Sequence, residues 1–126
     1  MARATFPRDA RLLTARDFAR LRTCSRRVSS RNLIAEVAAS ETTGVRMGLA
    51  VSRKVSRKAV RRNRIKRIAR DSFRRHRAMF PALDILVIAR SSADLQDNPA
   101  LHAEFAQLWQ RIVALNVTGA AGTMRD

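Results

Sequence analysis

Hydrophobic positions along this chain switch period several times, and each switch marks an element. Leu33, Ala35, Val37 and Ala39 alternate with partly polar neighbours, as do Val45, Met47, Leu49 and Val51 after a Ser-Glu-Thr-Thr-Gly link at 40–44. A period of two is that of a strand with one buried face, so the pair is expected to form an antiparallel hairpin. From residue 65 the period lengthens: Ile65, Ala69, Ser72 and His76 stack on one side of a helix, flanked by Ile68 and Phe73. Asn63, Arg67, Arg70 and Arg74 fall together on the opposite side. This helix is expected to run from about Ser56, a suitable N-cap, to a stop before Pro81. The unbroken run Ile85–Ala89 has the form of a strand buried on both faces. Asn98-Pro99 then opens a last helix, with proline at a favoured first position, and Leu101, Phe105, Leu108, Ile112 and Leu115 repeat along one face of it. Trp109 flanks that face and is read as core. Before all of these, Thr14 with Asp17 resembles a capping box that starts a short helix carrying Phe18 and Leu21 and ending near Cys24.

The predicted order is α-β-β-α-β-α: a single-domain α+β sandwich over residues 1–126 with a mixed sheet. No repeat or linker divides it, and about 1–5 and 118–126 are expected to be frayed. A length of 126 residues with 46% hydrophobic content supports one modest core.

Charge changes the picture most. The chain carries 26 Lys and Arg against 10 Asp and Glu, a net charge of +16. Half of the cations, 13, lie between Arg53 and Arg77 with Asp71 as the single acid. The periodicity places them on a folded helix rather than on a disordered tail. Cations in a first helical turn oppose the helix dipole at a cost of about 0.3–1 kcal/mol each, so Arg57, Lys58, Arg61 and Arg62 have no local reason to be there. A polyanionic partner supplies one, and nucleic acid is the first expectation. The longest apolar run is far below the roughly 18 residues of a spanning helix. Arg3, Arg8, Asp9 and Arg11 interrupt any N-terminal apolar stretch, so no export signal is expected and the cytoplasm is the default location.

Candidate chemistry is sparse. Cys24 is the single cysteine, which excludes an internal disulfide. Most acids have a structural reading: Asp17 in a cap, Glu36 at a strand edge, Asp71 among arginines, Asp84 at a strand start, Asp94 and Asp97 in a solvated loop. His76 belongs to the packing stripe, and His102 has no cysteine or second histidine near it. No phosphate-binding loop, dinucleotide glycine pattern or nucleophile elbow occurs. By itself the chain is not expected to be catalytic or to bind a metal.

The stretch Ala59-Val60-Arg61-Arg62-Asn63-Arg64-Ile65-Lys66-Arg67-Ile68-Ala69-Arg70-Asp71-Ser72-Phe73 closely resembles the protein subunit of bacterial ribonuclease P. The likeness extends to Phe6-Pro7, Arg11-Leu12, Asp17-Phe18, the strand end Gly48-Leu49-Ala50-Val51-Ser52-Arg53-Lys54, and the last helix. It implies a cytoplasmic protein that binds a catalytic RNA, which itself removes the 5′ leader of precursor tRNA by magnesium-dependent hydrolysis, with magnesium held mainly by the RNA. It also implies a left-handed βαβ crossover, as in folds like domain 2 of ribosomal protein S5, against the usual right-handed rule. Carried over by position, Arg62, Asn63, Arg64, Lys66, Arg67 and Arg70 are expected RNA contacts, with Arg53 and Lys54 beside them. The charge and helical phase add Lys58, Arg61 and Arg74. Phe18 maps to a cleft that accepts the leader, and Arg22 stands where many members carry a second aromatic. The link Val55-Ser56-Arg57-Lys58 also lacks the glycine that many members have.

Two other readings compete. A structural ribosomal or other RNA-binding protein explains the charge but not the motif. A DNA-binding helix-turn-helix needs a helix where residues 45–52 read as strand, so neither DNA nor a membrane is an expected partner.

Overall fold

The computed structural model describes Ala19, Leu21 and residues 25–40 and 44–115. Four strands, β1 (Arg26–Ser29), β2 (Leu33–Ala39), β3 (Arg46–Ala50) and β4 (Leu83–Ala89), form one sheet in the order β1-β2-β4-β3. The basic helix spans Ala59–His76 and the last helix Asn98–Ala114. The β1-β2 and β2-β4 pairs are antiparallel, whereas β3 and β4 are parallel and are joined through the basic helix. The α+β class and the mixed sheet therefore stand.

The strand pairing differs from the sequence expectation in one respect. β2 and β3 do not form a hairpin, because β4 lies between them. Its apolar residues bury both faces, and only a central position satisfies that pattern. The hairpin partner of β2 is instead β1, an additional strand that precedes it. Arg-Arg-Val-Ser carries one buried residue, Val28, so its hydrophobic pattern is too short to read as a strand. Glu36 consequently sits on an inner strand, not at an edge, and is buried.

Alternation divides the sheet into two unlike faces. Leu33, Ala35 and Val37 of β2 and Leu83, Ile85 and Val87 of β4 point to the side covered by both helices. Opposite them, Ala38 and Leu86 meet Leu21, with Ala50 and Ile88 packed alongside. Ala19 and Leu21 are helical, as expected there. The remainder of the N-terminal helix, Cys24, and the expected frayed ends lie outside the described residues.

Acids on the second face are matched by register. Arg46 is the cross-strand partner of fully buried Asp84, and its Nε and Nη2 donate to the two carboxylate oxygens at 2.9 and 2.8 Å. Arg27 faces Glu36 in the same way and donates from Nη2 at 2.7 Å. Burying a carboxylate is tolerable only with such pairing.

The basic helix is held by Ile65, Ile68, Ala69, Ser72 and Phe73, members of the predicted stripe, whereas His76, its last member, is only half-buried. Phe73, Phe80, Phe105 and Trp109 form an aromatic cluster with ring centroids 5.5–5.9 Å apart. Ser72, the polar member of the stripe, has a specific role: its Oγ accepts the indole N–H of buried Trp109 at 2.8 Å. A second latch joins the last helix to the β1-β2 turn. Glu104 accepts from the Ser30 hydroxyl, from the Asn32 backbone N–H at 2.8 Å and from Asn32 Nδ2 at 2.6 Å.

Ser72→Ala should destabilise the protein. Alanine gains at most a few tenths of a kcal/mol in helix propensity, whereas an unpaired buried indole N–H costs about 1–3 kcal/mol. Urea unfolding followed through the fluorescence of Trp109, the single tryptophan, measures the difference.

Candidate nucleic-acid interface

The basic helix starts later than its sequence suggests. Lys58 occupies the N-cap with no side-chain cap, and Ser56 instead closes a turn by accepting the Lys58 backbone N–H at 3.2 Å. The preceding link is folded too. Val55 is buried, and its N–H donates to the Ser52 carbonyl at 3.0 Å. A residue that reaches the core thus restrains this link.

Three of the motif arginines find acceptors within the protein, Arg61 while remaining exposed. Arg62 Nη1 donates to the carbonyls of Ser56 and Arg57, both at 3.0 Å, and so ties the link to the helix. Arg61 donates from Nε to Asp94 Oδ1 at 2.7 Å and from Nη2 to the Asp94 carbonyl at 2.8 Å. Arg64 Nη1 donates to Asn98 Oδ1 at 2.7 Å. The sequence treats these three as RNA contacts, but it cannot show that the turn before the last helix supplies them with acceptors. Asp94, expected to be solvated, is part of that turn. Asp97, expected in the same loop, is the N-cap of the last helix and accepts the Ala100 N–H at 2.9 Å.

Other cations stay available. Arg53, Lys54, Arg57, Lys58, Lys66, Arg67 and Arg70 make no side-chain hydrogen bond or ion pair among the described residues. Asn63, Arg67, Arg70 and Arg74 line a groove of about 600 Å³ between the two helices, as their shared helical face predicts. Asn98 and His102 of the last helix complete it. Their four-residue spacing places them on one helix face, which was the available signal for them. Arg74 is half-buried there and bonds Asp71, which also meets Arg75 at 3.3 Å. Arg53, Lys54 and Arg57 line a second concavity, of about 510 Å³, beside the link. Phe18 and Arg22 lie outside the described residues.

The acids show the opposite distribution. Glu36, Asp71, Asp84 and Asp94 are all in ion pairs, Asp97 caps a helix and Glu104 holds the β1-β2 turn. Every described acid is thus engaged within the protein, and the unpartnered charge is positive. His76 is also engaged, with Nδ1 2.8 Å from the Ser72 carbonyl.

The family model described as Ribonuclease P matches residues 6–113. The chain belongs to the bacterial ribonuclease P protein family. A ribonuclease P protein component from Pseudomonas entomophila strain L48 is 40% identical over 114 residues, covering 90% of this chain and 86% of the relative. The solved ribonuclease P protein of Staphylococcus aureus superposes with a TM-score of 0.78 at 29% identity, over 82% of this chain and 94% of that one. The Thermotoga maritima protein gives 0.71 at 29% identity, over 80% and 96%. Membership of the ribonuclease P protein family makes the chain a component of a tRNA-processing endoribonuclease and a partner of ribonuclease P RNA.

Arginines with and without a described acceptor should behave differently in this ribonuclease P protein. Arg62→Ala removes two bonds to carbonyls and should cost about 1 kcal/mol of stability, with faster hydrogen exchange over residues 56–62. Arg67→Ala should stay within about 0.5 kcal/mol of the parent in urea unfolding, because its side chain has no partner to lose among the described residues.

Proposed function

We propose that the protein binds the catalytic RNA of ribonuclease P through the basic helix and the link before it, and contacts the 5′ leader of precursor tRNA. The RNA performs the magnesium-dependent cleavage. One observation carries this reading: every described acid is used inside the protein, while unpartnered cations line two concavities at and beside the basic helix. Phosphates are the complementary ligands for such surfaces. The same observation argues against the described acids as magnesium ligands. Their oxygens face arginines, amides and a helix N-terminus, so magnesium belongs mainly with the RNA. The cations of the protein replace part of the screening between catalytic RNA and substrate. A cytoplasmic location accords with this role.

For the leader, the sheet face opposite the helices offers the support. Ile34 pairs with Ile88, and Ile88 with Ala50, giving a half-buried apolar row next to Leu21. A row of this kind suits the faces of unstacked bases, with Phe18 and Arg22 supplying an aromatic and a cation.

Two experiments separate the parts of the proposal. RNA-free protein should leave precursor tRNA intact, yet should raise cleavage by the catalytic RNA chiefly at low magnesium. Cleavage at the mature 5′ end by the RNA-free protein would refute the assignment of chemistry to RNA. For the leader, Phe18→Ala should weaken binding of precursor tRNA to the assembled enzyme by about 1–3 kcal/mol while sparing mature tRNA. Arg22→Ala should show the same selectivity with a shallower salt dependence. An equal loss for both tRNAs would remove the cleft contact.

A further inference from the structure

Three large hydrophobic side chains are exposed among the described residues: Val60 at 73%, Met79 at 37% and Leu95 at 82%. The two most exposed lie around the same pair of arginines. Val60 precedes Arg61 and is one helical turn before Arg64, and Leu95 follows Asp94, which both arginines contact. Arg61, Arg64, Leu95 and Pro99, with the acids Asp94 and Asp97, line an open concavity of about 620 Å³ that shares Asn98 with the groove between the helices.

This concavity is firmly held. Ala93 is fully buried, Gln96 N–H donates to the Ala93 carbonyl at 3.1 Å, and Asp97 caps the following helix. Asp94 holds Arg61 by its Nε and Nη2 edge, so the Nη1 side of the guanidinium fork remains for another acceptor. Arg64 is fixed through Asn98. An apolar floor bordered by an oriented guanidinium matches the two halves of a nucleotide, a base and a phosphate. Net charge of +16 and the motif itself select an anionic occupant over an apolar protein segment.

We propose that this concavity receives one unpaired nucleotide of the RNA partner, its base against Leu95 and Pro99 and its phosphate on Arg61. The proposal rests on the RNA-binding reading above and adds a base contact to it. Bases splayed from loops and bulges are the parts of structured RNA that proteins grip outside its helices, and here the covering face is aliphatic. In this arrangement Asp94 supports RNA binding despite its negative charge.

The test compares full-length wild type, Leu95→Ala and Arg61→Ala in binding the catalytic RNA across a salt series. Leu95 is so exposed that its truncation leaves the fold intact, which urea unfolding verifies. Leu95→Ala should weaken binding about three- to tenfold at every salt concentration with the log-log slope unchanged, because a base contact releases no counterions. Arg61→Ala should lessen the slope by about 0.7. Chemical probing should show an unpaired base that is protected by wild type and exposed with Leu95→Ala. Wild-type affinity in Leu95→Ala, or a loss that appears only as a changed salt slope, would overturn the base contact. Failure of wild type to bind the RNA at all would instead overturn the RNA reading, and this site with it.

Discussion

The packing of the basic helix on the last helix is the constraint on which the rest depends, because it must hold like charges together before any RNA arrives. Neighbouring cations on a helix stand about 6 Å apart, and each pair repels by about 0.7 kcal/mol in water before screening by salt. Against this, burying Ile65, Ile68 or Phe73 contributes about 1.5–3 kcal/mol apiece. Phe73 does so within a cluster whose Trp109 is also hydrogen-bonded to the same helix through Ser72. One stripe of five buried residues thereby makes possible an opposite face with no compensating acid beyond Asp71.

The arginines divide into two physical kinds, and the division follows from where acceptors are found. Arg61, Arg62 and Arg64 meet carbonyls and side chains of the adjoining link and turn, so their guanidinium groups organise the surface as well as charge it. Arg67 and Arg70, a turn further on, project where the described residues offer no acceptor. A planar group with five donors can serve both purposes at once, which lysine cannot. The preference for arginine in the first turns is thus intelligible from the protein alone, before the RNA is considered.

Periodicity made the helices, the central strand and the packing stripe legible, since each depends on a long run of one period. It failed at β1, where one buried valine in four residues carries no period, and at the pairing of β2, where adjacency in sequence suggested a hairpin. Even there the unbroken apolar run of β4 contained the answer, for a strand buried on both faces needs a neighbour on each side. The cation face from Asn63 to Arg74 was legible from helical phase. The fates of Arg61 and Arg64 were not, because Asp94 and Asn98 lie more than 30 positions away and only the fold brings them close.

The acids explain how so strong a charge asymmetry remains compatible with a compact protein. Asp84 and Glu36 lie directly across the sheet from arginines, Asp94 beneath Arg61, and Asp97 and Glu104 at backbone amides. Each described negative charge is therefore used at short range, where its attraction is strongest, and among the described residues little is left to weaken the long-range field. The positive potential is correspondingly undiluted over the helix, the link and the turn before the last helix. A polyanion approaching this side meets attraction first and shaped contacts second, so steering and recognition are assigned to different sets of residues on one surface.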